Sequence, residues 1–222
     1  MINAVFFDLD GTLADTAPDL AAALNQLLTE HHQPALPFTK IRPVVSHGGN
    51  ALIQLAFGIT ETHPDFLSIR ERFLRIYQTR LHNSTQLFEG MGAVLDTLES
   101  RQITWGVITN KPVWLTNPLM KKLGLTDRAG CIVCGDSTTY PKPHPAPMLL
   151  ACEITNSVPA SSLYIGDAER DITAGRAAGM QTLVALYGYI DQDEAPEQWQ
   201  AAGMISTPGE IIDWIEKFNR HP

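Results

Sequence analysis

The chain has 222 residues, of which 44% are hydrophobic and 18% are charged, so its composition predicts a packed globular protein with one large domain, or a core and a smaller second domain. Its net charge of −8 argues against non-specific binding to nucleic acid. Because no apolar run is long enough to span a bilayer, and the apolar start runs into an aspartate rather than a signal-peptide pattern, we expect a cytoplasmic protein without membrane partners.

The first predicted element is a buried strand that ends in two carboxylates. Residues 4–7 form an apolar run of the length typical of such a strand. Asp8 and Asp10 follow it, and Gly11 allows the chain to turn sharply without a side-chain clash. Two carboxylates at a strand end can divide the work of catalysis, since one can attack an electrophile while the other moves a proton. Together they can also bind a hard cation.

Residues 16–82 differ from the rest of the chain because they show helical patterns and no convincing strand. Thr16 and Asp19 have the spacing of a capping box at a helix start. Two apolar stripes follow at helical spacing, formed by Leu20, Leu24, Leu27 and Leu28 and by Phe66, Ile69, Phe73, Tyr77 and Leu81. We therefore predict a helical insertion at 16–82, placed between two parts of one core domain at 1–15 and 83–222.

From residue 84 onward, strand-like runs alternate with helical patterns, which is typical of a parallel sheet covered by helices on both faces. We therefore predict an α/β fold with a doubly wound, Rossmann-like parallel sheet and an inserted α-helical cap. The predicted strands lie at 103–109, 131–134, 162–165 and 182–186, and the predicted helices at 90–101, 112–123, 145–154, 170–178 and 208–218. Because ligands of such sheets bind beyond the carboxyl ends of the strands, we expect the polar residues at those ends to converge, namely Asp8, Asp10, Thr109 and Asp167.

Cys131 and Cys134 have the spacing of a metal or redox motif, but the sequence lacks a second such pair. Residues 131–134 also form an apolar run, and the two-residue period of a strand would send the two sulfurs to opposite faces. We therefore interpret this segment as a buried strand. Three cysteines in the whole chain fit a reducing compartment.

Three further segments place polar side chains after predicted strands. Thr109 and Asn110 could hold a phosphate oxygen beside the free N–H groups of the following turn, or form an ordinary helix cap. Lys142 lies between Pro141 and Pro143, which stiffen the backbone around its ammonium group, whereas most loop lysines are mobile on the surface. Asp167 and Asp171, four residues apart at a helix start, could hold Mg²⁺ or face solvent at the favourable end of a helix dipole.

These four motifs, in this order and with a helical insertion after the first, resemble the haloacid-dehalogenase-like superfamily in its phosphatase branch. The first motif is Asp8-Leu9-Asp10-Gly11-Thr12-Leu13. The others are Thr109-Asn110, Lys142 with its prolines, and the segment from Gly166 to Asp171. The resemblance implies a Mg²⁺-dependent phosphomonoester hydrolase, in which the insertion is the cap that closes over the site.

The resemblance also implies a role for each residue of the motifs. Asp8 attacks phosphorus and becomes an aspartyl-phosphate, while Asp10 protonates the leaving oxygen and then takes a proton from water. The Asp8 carboxylate, the Asp10 backbone carbonyl and Asp167 bind Mg²⁺. Thr109 and Lys142 steady the phosphoryl group. Asp171 supports the metal or Lys142.

The charges of these residues are consistent with such a mechanism. Four carboxylates would repel an anionic substrate, whereas Mg²⁺ and Lys142 supply three positive charges against them. Two alternatives remain open at this point. A sugar phosphomutase would share the core and return the phosphate to the sugar. A phospho-aspartate signalling module would keep its phosphate without turnover, although such modules are shorter and lack the insertion.

The chain is similar to two groups within the superfamily, both of which act on small phosphate esters that carry a carboxylate. Residues 109–112 and 187–190 resemble phosphoglycolate phosphatases, whereas residues 88–91 and 118–120 are more similar to N-acetylmuramic acid 6-phosphate phosphatases. We expect Arg42 to pair with the substrate carboxylate or to be an ordinary surface arginine. We expect His47 and Gly48 to form a specificity loop, and Lys111 to face the mouth of the site. Both a monomer and a homodimer are compatible with the sequence.

Overall fold

The computed structural model describes residues 1–220, in which the strands and helices alternate along most of the chain. The strands are β1 (Ala4–Phe7), β2 (Ala14–Asp15), β3 (Gln86–Leu87), β4 (Thr104–Ile108), β5 (Ile132–Val133), β6 (Ser162–Gly166), β7 (Gln181–Ala185) and β8 (Gly203–Ile205). The helices are α1 (Ala17–Glu30), α2 (Phe38–Ile41), α3 (Gly48–Phe57), α4 (Phe66–Gln78), α5 (Met91–Ser100), α6 (Val113–Lys122), α7 (Ala146–Thr155), α8 (Glu169–Ala177) and α9 (Glu210–Arg220). Among the helices of residues 1–220, none is both long and apolar enough to cross a membrane.

Six of the strands form one parallel sheet in the order β5-β4-β1-β6-β7-β8. The first strand lies in the middle, between β4 and β6, and the chain extends the sheet outward in both directions from it. This arrangement confirms the predicted doubly wound α/β fold. The short edge strand β8 was not predicted, because a run of three residues carries too little periodicity to be recognised.

Alternate residues of β1 explain why both faces of the sheet are covered. Ala4 and Phe6 belong to one apolar cluster, which α7 and α8 help to form. Val5 and Phe7 belong to a second cluster, to which α5 and α9 contribute. Since successive side chains of a strand point to opposite faces, a strand that is apolar throughout requires helices on both sides.

A two-stranded antiparallel ribbon lies at the two ends of the helical insertion. Ala14 of β2 pairs with Leu87 of β3, and Asp15 pairs with Gln86. Between these strands, α1 packs against α4, and most side chains of their apolar stripes are buried. The segment Arg42–His47, which joins α2 to α3, is a 3-10 helix.

The predicted capping box at the start of α1 is wrong. Thr16 makes no side-chain cap and instead donates a hydrogen bond from its hydroxyl to Asp10 Oδ1 at 2.6 Å. Asp19 accepts hydrogen bonds from the backbone N–H groups of Ser84 and Thr85, which lie at the other end of the insertion. The two side chains thus connect the insertion to its surroundings, a use that local spacing cannot reveal.

The segment around Cys131 and Cys134 contains a strand, as predicted, although β5 itself covers only Ile132–Val133. Cys131 packs in the same apolar cluster as Cys152. All three cysteines are buried and free. Burial raises the pKa of the Cys131 thiol to about 12, so this sulfur is a packing group rather than a reactive thiolate.

Candidate active site

Three buried carboxylates converge at the carboxyl end of the central strands. Asp8 follows β1 and Asp167 follows β6, two neighbouring strands that place their ends side by side. Asp171 lies in the first turn of α8. One oxygen of each carboxylate lies within 4.8 Å of the others, so the three residues can share a metal ion.

The ammonium group of Lys142 lies among these carboxylates. Its Nζ is 2.9 Å from Asp8 Oδ1 and 2.7 Å from Asp171 Oδ1. It also donates to the carbonyl oxygen of Ile108 at 2.9 Å and to the Tyr164 hydroxyl at 2.8 Å. Because a buried charge is stable only when it is paired and hydrogen-bonded, this set of partners fixes the ammonium in one place.

Asn110 holds the backbone of Lys142 with both ends of its side-chain amide. Its Nδ2 donates to the Lys142 carbonyl at 2.9 Å, and its Oδ1 accepts from the Lys142 N–H at 3.0 Å. The Asn110 side chain therefore positions Lys142, while Asn110 also borders the cavity described below, so its role in binding phosphate stays a prediction. The neighbouring Thr109 is buried at the end of β4, borders the cavity described below, and accepts a hydrogen bond from the Lys111 N–H at 3.1 Å.

The surplus of negative charge changes the proton affinity of the cluster. Burial, and then the nearby charges of Asp8 and Asp171, raise the pKa of Asp167 to about 7. Burial also raises the pKa of Asp171, although the Lys142 ammonium opposes that change. Within residues 1–220, Asp8 Oδ1 is buried without a hydrogen bond of good geometry. Its contact with Lys142 is therefore an ion pair in which the acceptor oxygen keeps unused capacity.

Asp10 lies outside the three-carboxylate cluster and faces a different cation. Its Oδ1 accepts a hydrogen bond from Lys111 Nζ at 2.7 Å and another from the Thr16 hydroxyl. Burial alone would lower the pKa of Lys111, but the Asp10 carboxylate and the Tyr77 hydroxyl outweigh burial, so the pKa of Lys111 is raised. Lys111 Nζ also lies 4.6 Å from the centre of the Tyr77 ring, which is a cation–π distance.

Gly11 occupies a position in the first motif where an added side chain would have no space. Its φ is +87°, in the region that favours glycine, and an added Cβ would lie 2.0 Å from Asp167 Oδ2. The absence of a side chain therefore allows the turn after β1 and the end of β6 to approach each other. This close approach brings Asp167 to Asp8.

A cavity of about 120 Å³ opens above the carboxylates and is enclosed by the helical insertion. Asp8, Asp10 and Thr109 form its polar floor. The opposite wall is largely apolar and comes from the insertion, with Leu20, Leu52, Phe73, Leu74 and Tyr77. Most small-molecule sites combine an apolar wall with a few placed polar groups, as this one does.

The insertion also reaches the carboxylate cluster directly, through residues that the sequence patterns did not indicate. The Ser46 hydroxyl donates to Asp167 Oδ2 at 2.5 Å, and the Ser46 carbonyl accepts a hydrogen bond from the guanidinium of Arg170. Arg170 and Arg70 both border the cavity. Arg170 lies inside the fourth motif, and Ser46 lies between Arg42 and His47, so the sequence marked the neighbours of both residues but neither residue itself.

Two of the insertion residues expected to contact substrate do not border the cavity. Arg42 donates to the carbonyl oxygens of Gly188 at 2.9 Å and Tyr187 at 3.3 Å, and it stacks over the Tyr189 ring. The His47 side chain is exposed, and its Nε2 lies 3.9 Å from Glu194 Oε1. In this structure each of the two residues contacts the core, and a role for either in binding substrate stays a prediction. Gly48, in contrast, borders the cavity at the start of α3.

Comparisons with known proteins agree with this geometry. The Haloacid dehalogenase-like hydrolase family matches residues 5–185. An N-acetylmuramic acid 6-phosphate phosphatase from Pseudomonas putida is 41% identical over 97% of this chain and 96% of its own length. A phosphoglycolate phosphatase from Xanthomonas campestris is 39% identical over 94% of both chains.

A solved structure is also similar to this chain. The crystal structure of a predicted phosphoglycolate phosphatase from Haemophilus somnus has a TM-score of 0.85, at 26% identity over 96% of this chain and 97% of that one. The matched family, the named relatives and the buried carboxylates identify a phosphatase. The chain belongs to the haloacid dehalogenase-like hydrolases.

Proposed function

We propose that this phosphatase hydrolyses a small, acidic phosphomonoester through an aspartyl-phosphate formed on Asp8. The observation that supports this most directly is the state of the Asp8 carboxylate. It lies on the cavity floor, its Oδ1 accepts no hydrogen bond of good geometry, and the Lys142 ammonium is 2.9 Å away. A carboxylate fixed in this way is available as a nucleophile, and the adjacent cation offsets charge on an incoming phosphate.

The carboxylate cluster fits a divalent cation. Asp8, Asp167 and Asp171 carry three negative charges when ionised, and the nearby Lys142 and Arg170 contribute two positive charges, so negative charge remains in excess. Carboxylate oxygens are the ligands that hard cations such as Mg²⁺ prefer. Asp8 and Asp167, with the Asp10 backbone carbonyl, would hold Mg²⁺, and Asp171 would support it or Lys142. When bound, the ion would neutralise part of the phosphoryl charge.

The reaction has two steps, transfer of the phosphoryl group to Asp8 and hydrolysis of the aspartyl-phosphate, and Asp10 moves a proton in each. In the first step, Asp8 attacks phosphorus while Asp10 gives a proton to the leaving oxygen, and the alcohol departs. In the second, Asp10 takes a proton from a water molecule that attacks the same phosphorus, which releases phosphate and restores Asp8. Lys111 and Thr16 hold the Asp10 carboxylate in place, while Thr109 and Lys142 steady the phosphoryl oxygens.

The helical insertion would act as a cap domain at 16–82, over a core domain at 1–15 and 83–222. Its contacts with the core support this, because Ser46 bonds to Asp167 and Arg42 bonds to the carbonyl oxygen of Gly188. Gly48 would contribute to the specificity loop at the cavity edge. A closed cap excludes water from the first step, which protects the phosphoryl group from premature hydrolysis.

The substrate would be an acidic phosphate ester of the kind that the relatives' names describe, 2-phosphoglycolate or N-acetylmuramic acid 6-phosphate. These names favour a hydrolase over a phosphomutase or a phospho-aspartate signalling module. A screen of phosphate release over small phosphomonoesters with Mg²⁺ tests the proposal. Lack of release from every ester would contradict it.

Replacing either aspartate of the first motif should block a different step. Asp8→Asn removes the nucleophile, so we expect kcat to fall by roughly a thousandfold or more. Asp10→Asn keeps the nucleophile, so we expect it to accept phosphate slowly from p-nitrophenyl phosphate and to accumulate the covalent form. Phosphate release and intact-protein mass spectrometry measure the two effects.

The exposed Asp127 provides a matched control for this pair, since Asp127→Asn should leave both readouts unchanged. Near-normal turnover in Asp8→Asn would show that another residue attacks phosphorus. A covalent phosphate located on a side chain other than Asp8 would lead to the same conclusion.

Removal of divalent cations should stop turnover. In excess EDTA the carboxylates repel an anionic substrate, so we expect phosphate release to fall to background and to recover when Mg²⁺ is added in excess of the chelator. Calcium added at the same free concentration is a useful comparison, because it prefers more ligands and longer distances. Full activity in EDTA would exclude a metal requirement.

Asp167→Asn should stabilise the metal-free protein at high pH. Because the folded-state pKa of Asp167 is raised to about 7, the folded protein binds this proton more tightly than the unfolded chain does. Stability therefore falls as pH rises from about 4 through 7. At pH 8 in EDTA we expect the variant to melt about 2–4 °C above wild type, which corresponds to roughly 1 kcal/mol, and we expect a smaller gap at pH 5.

Differential scanning calorimetry with and without Mg²⁺ measures this effect, with Asp127→Asn as the control. Mg²⁺ should raise the melting temperature of wild type more than that of Asp167→Asn. A lower melting temperature for Asp167→Asn in EDTA at pH 8 would show that the three carboxylates do not destabilise one another.

A further inference from the structure

Arg70 is a charged residue in the apolar wall of the cavity. It lies on α4, and it shares one face of that helix with Phe73, Leu74 and Tyr77, which stand three, four and seven residues further on. The other three side chains on this face are apolar or aromatic. Arg70 is half-buried and its Nε is fully buried, so its guanidinium is partly removed from water and would gain from pairing with an anionic group in the cavity.

The charge of Arg70 has no such pair within the described part of the chain, residues 1–220. Its Nε is buried without a hydrogen-bond partner, and no carboxylate oxygen lies within 4.0 Å of its guanidinium. Its neighbours on the same helix differ, because Arg72 pairs with Glu30 and Arg75 pairs with Glu71.

The other cations at the cavity are also engaged. Lys111 pairs with Asp10 at 2.7 Å, and Arg170 donates to the Ser46 carbonyl. Of these three cavity cations, Arg70 is therefore the one whose charge remains available to an anionic group of a ligand.

Arg70 lies on a different turn of α4 from the residue that marks the reacting end of the cavity. Tyr77 marks that end, because its ring lies 4.6 Å from Lys111 Nζ, which binds Asp10. Seven residues of α-helix separate Arg70 from Tyr77, a rise of about 10 Å along the axis. Arg70, Leu74 and Pro112 also border a groove on the outer surface that runs past Trp114, so Arg70 stands where the cavity meets solvent.

We propose that Arg70 binds a carboxylate at the end of the substrate remote from its phosphate, and that it selects acidic sugar phosphates over neutral ones and over short phospho-acids. This inference rests on the proposed function and specifies its substrate class. In 2-phosphoglycolate, three bonds separate phosphorus from the carboxyl carbon, a span of about 4 Å. In N-acetylmuramic acid 6-phosphate, eight bonds separate them, so its carboxylate can extend much farther from phosphorus, toward the outer end of the cavity where Arg70 stands.

The Arg70 guanidinium and a substrate carboxylate are chemically complementary. A guanidinium presents a planar fork of N–H donors that matches both oxygens of a carboxylate, and the apolar side chains beside it exclude water from the pair. The lactyl carboxylate is also the group that distinguishes N-acetylmuramic acid 6-phosphate from N-acetylglucosamine 6-phosphate. An arginine that reads this group would therefore separate two sugar phosphates that are otherwise alike.

The test compares Arg70→Gln with wild type on these two sugar phosphates and on 2-phosphoglycolate, in Mg²⁺. We expect kcat/KM for N-acetylmuramic acid 6-phosphate to fall about 10- to 100-fold, mostly through KM, and kcat/KM for the other two esters to change less than about threefold. Arg70→Lys should restore part of the loss, since it keeps the charge without the fork. Arg72→Gln is the matched control, because Arg72 lies on the same helix and pairs with Glu30.

Several outcomes would overturn the proposal. An equal loss on all three esters, with a normal melting curve, would assign Arg70 to the phosphate end. A fall in kcat/KM confined to 2-phosphoglycolate would show that Arg70 binds a carboxylate close to phosphorus. Unchanged kinetics on every ester would remove any role for Arg70, although hydrolysis itself would still support the proposed function. A wild-type protein that hydrolyses none of the esters would refute the proposed function and this inference together.

Discussion

The constraint on which this structure depends is the burial of three carboxylates around one ammonium group. Asp8, Asp167 and Asp171 come from two strand ends and one helix start, and Lys142 contacts two of them at 2.9 and 2.7 Å. Local features of the core serve that arrangement. Gly11 leaves the space that Asp167 needs, and Asn110 fixes the backbone that carries Lys142. Because burial and mutual repulsion raise the pKa of Asp167 and Asp171, the cluster is unfavourable for stability on its own, which is typical of groups that a fold arranges for function.

The insertion is connected to this cluster and does not only cover it. The Ser46 hydroxyl donates to Asp167, and Arg170, which precedes Asp171, donates to the Ser46 carbonyl. The position of the 3-10 helix that carries Ser46 is therefore linked to the same carboxylate that we propose as a metal ligand. Any movement of the insertion away from the core would have to break these hydrogen bonds, and a cation that competes for Asp167 would change their strength.

The core and its four motifs could be predicted from the sequence, because strand ends in a parallel sheet meet at one edge and glycine, proline and paired acids mark those ends. The residues of the insertion could not be chosen in the same way. Arg42 stands in a polar, flexible segment that left both a substrate contact and an ordinary surface position open, whereas in the structure its guanidinium bonds to backbone carbonyls of the core. Arg70 did carry a signal, since it lies four residues after Phe66 and three before Phe73, within the apolar stripe of α4. A charge inside an apolar stripe indicates either a buried pair or a ligand, and only the packing of helices around it distinguishes the two.

The two ends of the cavity use positive charge differently, and this difference separates chemistry from selectivity. At the floor, Lys142 and Lys111 are each paired with a carboxylate of the first motif, so their charges are largely spent on holding Asp8 and Asp10 in position. At the far end, the Arg70 guanidinium has no protein carboxylate within 4.0 Å among residues 1–220, so its charge is available to a ligand. A substitution at the far end can therefore change which leaving group is held without disturbing the groups that transfer phosphate. The same four motifs can thus accompany different substrates, because the residue that distinguishes the leaving groups lies about two helical turns from Tyr77, which contacts the reacting end through Lys111.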